Sequence, residues 1–224
     1  MRRVTIIVAA VLVCALAGPA AGPARGAQPP APARLRSLRG ATQAIVVTSA
    51  SWRTTYAELR TYQRIGRYWR LVRGPLPARI GYAGFSAARH EGDGTTPAGT
   101  FGFVYGFGSR PNPGMHGFGW RTVRPGVCWS GRRADYNRWV TRPCTRGEDM
   151  WKNARVAYRY GAVIDFNYWR PVYGRGSGIF LHQQTGGPTA GCVSLREADL
   201  VAVLRWMRPG VRIVMGPASY VERL

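Results

Sequence analysis

His182 and Cys192 stand ten positions apart, separated by Gln-Gln-Thr-Gly-Gly-Pro-Thr-Ala-Gly. An imidazole beside a thiol is a general base beside a nucleophile, the couple that activates cysteine for acyl transfer. The spacing permits that meeting if the glycine-rich interval folds back. Cysteine parity points to the same thiol. Of four cysteines, Cys14 lies in an apolar N-terminal stretch. Cys128 and Cys144 are sixteen apart, and a bridge between them would close a loop of about 15 residues, stabilising by roughly 3 kcal/mol. Cys192 is then the odd thiol left for chemistry. The competing reading of Cys192 is a buried structural cysteine.

The residues around the pair extend the site. Ser194 and Glu197 have capping-box spacing, and Leu200, Val203, Leu204 and Met207 recur at helical spacing before Pro209-Gly210. This predicts a helix capped by Ser194 just after Cys192. The positive helix end would lower the thiol pKa, and N–H groups at Gly191 and Cys192 would face an oxyanion. Thr189 either orients His182 or the substrate, or satisfies a turn. Asp165 and Asn167 either orient His182 or bond backbone. His116 lines the cleft or is a loop histidine without a role. His90 stands next to Glu91, but three histidines without HxxxH or CxxC spacing predict no metal site. No other cofactor is expected.

The elements that must position these residues are mostly strands. Ala44 to Thr48 is a β-branched run, and Thr54 to Arg64 with Tyr68 to Arg73 reads as a hairpin across Ile65-Gly66-Arg67. Thr96-Pro97-Ala98-Gly99 is a turn leading into a strand over Thr100 to Tyr105. Further strands are expected within Ala157 to Asn167, over Gly178 to Gln183 with His182, and over Val211 to Met215. The stretch between Cys128 and Cys144, with Trp129, Trp139 and nearby Trp151, reads as a long surface excursion that either leaves the cleft open or folds over it as a lid. The fold class is mostly β, a β-sandwich with one notable helix after the cysteine.

The chain has 224 residues, 46% hydrophobic and 12% aromatic, enough for one sizeable domain. No heptad run or second long apolar segment is present, which excludes a coiled coil and a multi-span membrane protein. Arg2 and Arg3 precede an apolar stretch from Val4 to Ala17, and small residues follow to Ala27. Residues 1–27 therefore read as a secretory signal, residues 28–42 as a Pro/Ala/Arg-rich linker, and residues 43–224 as the working domain. An uncleaved anchor is the alternative for the first segment. Export would place the protein outside the membrane, where disulfides are permitted.

All but one of the 32 basic residues are arginine, against 10 acidic residues, for a net charge of +22. Removing residues 1–27 takes three arginines and leaves +19. Arg53, Arg60, Arg64, Arg67, Arg70 and Arg73 read as a solvated sheet face. The total charge suits anionic wall polymers or lipid heads. No nucleic-acid motif is present, and a monomer is expected.

Two segments carry a resemblance, Asp93 to Phe103 (DGTTPAGTFGF) and Gly178 to Leu195 (GIFLHQQTGGPTAGCVSL). Together they resemble the L,D-transpeptidase catalytic domain of the YkuD type, and most of all a secreted actinobacterial-type branch with HxxxGGPTxGC. The likeness runs from about Ala44 to Gly216. It implies peptide-bond exchange on peptidoglycan stem peptides, with Cys192 as nucleophile, His182 as base, and Gly191 with the Cys192 backbone as oxyanion region. The chain departs from the common Ser/Thr-His-Gly-Cys pattern. Ala190 stands where the second histidine would be, Ser194 where an Arg or Asn is common, and the His-to-Cys interval is short. Thr189, Ser194 and His116 are the candidate substrate contacts. The main alternatives are a hydrolase (carboxypeptidase or amidase) using the same pair, and a non-catalytic basic wall-binding module.

Overall fold

The computed structural model describes residue 32, residues 35–38 and residues 40–224. The expected signal, residues 1–27, and most of the expected linker lie outside the described residues. Among the described residues fifteen strands follow one another: β1 (Gln43–Ser49), β2 (Tyr56–Ile65), β3 (Tyr68–Arg79), β4 (Phe85–Ser86), β5 (Thr96–Pro97), β6 (Gly99–Phe101), β7 (Phe103–Gly108), β8 (Trp120–Thr122), β9 (Val127–Ser130), β10 (Arg138–Thr141), β11 (Gly147–Asp149), β12 (Gly161–Ile164), β13 (Phe180–Gln183), β14 (Val193–Leu195) and β15 (Arg212–Pro217). Helix α1 spans Glu197–Trp206, and a short helix α2 spans Ala218–Val221.

Ten strands form one sheet in the order β6-β15-β1-β2-β3-β14-β13-β12-β7-β8. β1 lies between β15 and β2 and is buried along its whole length. Successive side chains of a strand face opposite sides. Accordingly Ile45 and Val47 join one apolar cluster with Leu59, Leu181, Val193 and Leu195, while Ala44 and Val46 join another with Val214 and Val221. This continuous apolar run marks a strand covered on both faces. Helix α1 lays Leu200, Val203 and Leu204 on the first cluster. A third cluster holds Phe107, Trp129, Met150, Tyr158, Phe180 and Cys192. The three clusters lie within residues 35–224.

The expected hairpin is present as β2 and β3, closed between Ile65 and Tyr68. The final strand is present as β15, beside β1 in parallel. Other expectations need correction. Leu35 and Leu38, assigned to a free linker, are buried against Val46 and Val214. The strand expected over Thr100 to Tyr105 breaks at Gly102. There the chain passes from β15's edge to β12's, and Gly102 N–H donates to Asp165 Oδ1 at 2.8 Å. The strand expected within Ala157 to Asn167 is present as β12. Asn167, with φ 50°, folds back to bond Val172 and Gly176 backbone.

The largest correction concerns Ser194. It lies inside β14, paired with His182 of β13 on one side and Arg79 of β3 on the other. Helix α1 starts at Glu197, its N-cap is Arg196, and no side chain caps it. Val193 and Leu195 pack into the core, and sheet pairing of their backbone outweighs the local capping pattern. Cys192 therefore precedes a strand, not a helix.

Candidate active site

β13 and β14 run parallel, with Leu181 beside Val193 and His182 beside Ser194. Leu181 and Val193 enter the cluster under α1. By alternation Phe180, His182 and Cys192 face the opposite side of the sheet. There Cys192 packs with Phe180 and Tyr158. The sheet thus brings His182 and Cys192 to one face. Both line a cleft of about 680 Å³, whose walls include Arg89, Trp129, Glu148, Tyr158 and Thr189.

Cys192 is free and buried. Its Sγ donates to Gly178 O at 3.2 Å and accepts from Phe180 N–H at 3.4 Å. These, not the imidazole, are its hydrogen-bond partners among the described residues. His182 Nδ1 lies 2.8 Å from Gln183 O. A carbonyl oxygen only accepts, so Nδ1 carries the proton and Nε2 keeps its lone pair.

The pair rests neutral. Burial pushes the Cys192 thiol up to about 12, and the Glu148 carboxylate adds to the rise; Phe180 N–H and the Arg89 guanidinium oppose it. Burial likewise pulls His182 down to about 4, against the hydrogen bond to Gln183 O. The expectation of a thiolate at a helix end fails for the same reason as the helix cap. Desolvation disfavours the charged form, and no helix terminus is there to offset it.

Two charged residues beside the thiol carry no local sequence signal for this role. Arg89, 7% exposed, lies between β4 and β5. Its Nη1 donates to Asp93 Oδ1 at 3.2 Å and to Thr95 O. Asp93 also accepts from His90 N–H and from Thr95 N–H and Oγ1. Burial opposes its ionisation, but these bonds and Arg89 hold its carboxyl below the usual range. A β-carbon on Gly191, which has φ +142°, would lie 2.5 Å from Arg89 Nη1 and 2.8 Å from Thr95 O. Only glycine lets the cysteine turn come this close to the guanidinium.

Glu148 lies on β11, opposite Trp129 of β9. It accepts hydrogen bonds from Tyr158 Oη and from Asn153 Nδ2. Burial raises its pKa against these two bonds. Burial and the neighbouring carboxylate keep the Tyr158 phenol protonated. The expected lid is instead a three-stranded sheet, β10-β9-β11, that forms a wall of the cleft. Cys128 and Cys144 are bonded there, with Cα atoms 5.2 Å apart.

The two motif segments meet at the Cys192 carbonyl. Thr189 Oγ1 donates to Cys192 O at 2.7 Å and accepts from Gly191 N–H at 3.1 Å. Thr96 Oγ1 donates to the same carbonyl at 3.3 Å and accepts from Gly81 N–H at 2.8 Å. Thr189 is itself anchored to Ile80 O and Tyr82 N–H. Thr189 borders the cleft but is spent on holding the turn, and Gly191 N–H is turned to Thr189 rather than to a ligand.

The remaining candidates sit elsewhere. Ser194 is buried and not part of the cleft lining. His116 is exposed, in a loop that touches Arg205 and Pro209 at the end of α1. Asp165 serves Gly102, not His182. Ala190 is exposed on the cleft lining, in the place of the absent second histidine. Among the described residues no cluster of His, Cys, Asp and Glu has a metal-binding arrangement.

The family model of the L,D-transpeptidase catalytic domain, YkuD, matches residues 43–215. The chain belongs to this family. No curated protein matches it significantly. Among solved structures it is similar to L,D-transpeptidase 1 of Mycobacterium tuberculosis, at 15% identity and TM-score 0.39, covering 79% of this chain and 62% of that one. It is also similar to the helical cell shape determining protein Pgp2 of Campylobacter jejuni, at 12% identity and TM-score 0.40, covering 78% of this chain and 47% of that one. This L,D-transpeptidase family member thus spans less than two thirds of either neighbour's chain.

Proposed function

We propose that the protein is a secreted cysteine acyltransferase acting on peptidoglycan stem peptides. The observation that carries this reading is the cleft itself: Cys192, in the turn that leads into β14, and His182 of the neighbouring β13, whose Nδ1–H is bonded to Gln183 O, both line it. At neutral pH the imidazole is unprotonated and its Nε2 can accept a proton, and a neutral thiol must lose its proton as it attacks. Sγ bonds to the amide carbon while the proton passes to His182 Nε2. That proton then goes to the leaving amine as the C–N bond breaks. The product is a thioester on Cys192. An acceptor amine attacks the thioester, the thiol is regenerated, and a crosslink results. Water as acceptor would make the same site a carboxypeptidase.

Gly191, in this reading, lets the turn approach the Arg89 cation, which lies near any developing oxyanion. The apolar run from Val4 to Ala17 and the Cys128–Cys144 disulfide support export. The family membership supports the stem-peptide substrate.

The buried, neutral thiol favours a second reading, a wall-binding module that keeps the fold without the chemistry. One experiment separates them: purified muropeptides are incubated with the protein and with Cys192→Ala, and products are followed by mass spectrometry. Crosslinked or trimmed products that vanish in Cys192→Ala support the enzyme. Absence of new products, with muropeptide binding retained in both proteins, supports the module.

A further inference from the structure

The hairpin of β2 and β3 extends beyond its neighbours. β1 pairs with β2 only as far as Gln63, and β14 meets β3 only at Ala78 and Arg79. The hairpin tip, residues 64–70, projects past β1, and from Leu71 to Pro77 β3 is an open sheet edge. Arg64, Arg67, Arg70 and Arg73 are exposed on it. Between them Ile65 is 50% exposed, Tyr68 67%, Leu71 48% and Val72 37%. No acidic residue occurs between Glu58 and Glu91, and Glu58 already pairs with Arg60. The hairpin tip and the open β3 edge behind it therefore form a purely cationic surface that carries large apolar side chains. The expectation of a simply solvated arginine face accounts for the guanidinium groups but not for four exposed apolar neighbours.

We infer that this hairpin is a docking surface for an anionic phospholipid bilayer. Arginines near such a surface are drawn by its negative potential, and apolar side chains beside them enter the headgroup boundary. Tyr68, an amphipathic ring under the Arg67 guanidinium at 5.5 Å, suits that boundary. A soluble polyanion would engage the arginines but has no place for Ile65, Leu71 and Val72. A second copy of this chain is disfavoured twice over. Edge-to-edge pairing would bring the arginine rows together, and Pro75 and Pro77 remove N–H donors from β3. The inference rests on the hairpin alone and is independent of the Cys192 chemistry.

The test uses the chain from Gln28 onward, which keeps the three apolar clusters and removes the apolar N-terminal stretch as a competing anchor. Co-sedimentation is measured with phosphatidylcholine vesicles, with vesicles containing phosphatidylglycerol, and with soluble polyphosphate in a parallel binding assay. Two variants are compared with the parent: Arg64→Gln/Arg67→Gln/Arg70→Gln/Arg73→Gln, and Ile65→Ser/Leu71→Ser/Val72→Ser. All these positions are exposed, so thermal midpoints should match the parent. The expected result is binding to phosphatidylglycerol vesicles but not to pure phosphatidylcholine, weakened about tenfold or more in each variant. Polyphosphate binding should fall only in the arginine variant. The inference is overturned by no binding to phosphatidylglycerol vesicles, or by an apolar variant that binds them as tightly as the parent, which would mark a polyanion contact. An arginine variant that binds them unchanged would overturn it equally.

Discussion

Thr96 Oγ1 donates a hydrogen bond to the carbonyl oxygen of Cys192, 96 positions further along the chain. Thr96 Oγ1 in turn accepts from Gly81 N–H, so one fully buried hydroxyl ties β5, the end of β3 and the cysteine turn together. Thr96→Val keeps the shape and removes both bonds, leaving a buried N–H without its partner. We expect a loss of about 1–3 kcal/mol in urea unfolding and a fall in Cys192-dependent product formation, with Thr96→Ser close to the parent. A Thr96→Val protein of parental stability would show that the bridge is unimportant.

Arg89 and Glu148 act on the thiol with opposite sign. The alkylation rate of Cys192 by iodoacetamide at about pH 8 reports the thiolate fraction. Arg89→Gln should slow it and Glu148→Gln should speed it, each by on the order of tenfold. Shifts of the same direction in both variants would mean that these residues only hold the cleft's shape.

The lowered His182 pKa makes stability pH-dependent. Below the ordinary histidine value of 6.5 the unfolded chain takes up a proton that the folded protein refuses until about pH 4. The unfolded state binds more protons across that window, so stability falls as pH drops from 6.5 to 4. His182→Gln should lose less stability than the parent between pH 7 and pH 4.5, by up to about 3 kcal/mol. Urea midpoints at the two pH values for both proteins measure this, and parallel losses would contradict the buried neutral imidazole.

The Cys128–Cys144 bond closes the segment that leads into β11 and Glu148. Cys128→Ser/Cys144→Ser should cost roughly 3 kcal/mol, the loop-closure value for about 15 residues. Because the freed β11 no longer holds Glu148 near the thiol, Cys192 alkylation should also quicken. A stability loss with unchanged alkylation would separate the disulfide from the site.

Much of this protein is legible in its chain because the signals are local. The alternating residues around Gly66 specify the β2–β3 hairpin, the apolar runs at Ala44–Thr48 and Val211–Met215 specify two adjoining strands, and parity leaves Cys192 as the free thiol. The segments Asp93 to Phe103 and Gly178 to Leu195 carry the family resemblance without any coordinates. The capping pattern at Ser194 is just as local, yet misleads. Pairing with β13 and β3 satisfies the backbone there, and those partners come from distant parts of the chain. The neutral resting state of the pair, the Arg89 and Glu148 charges beside the thiol, and the Thr96 bridge arise only once the sheet has assembled. Burial and charge proximity are properties of neighbours in space, and for Cys192 those neighbours lie from 12 to more than 100 positions away in sequence.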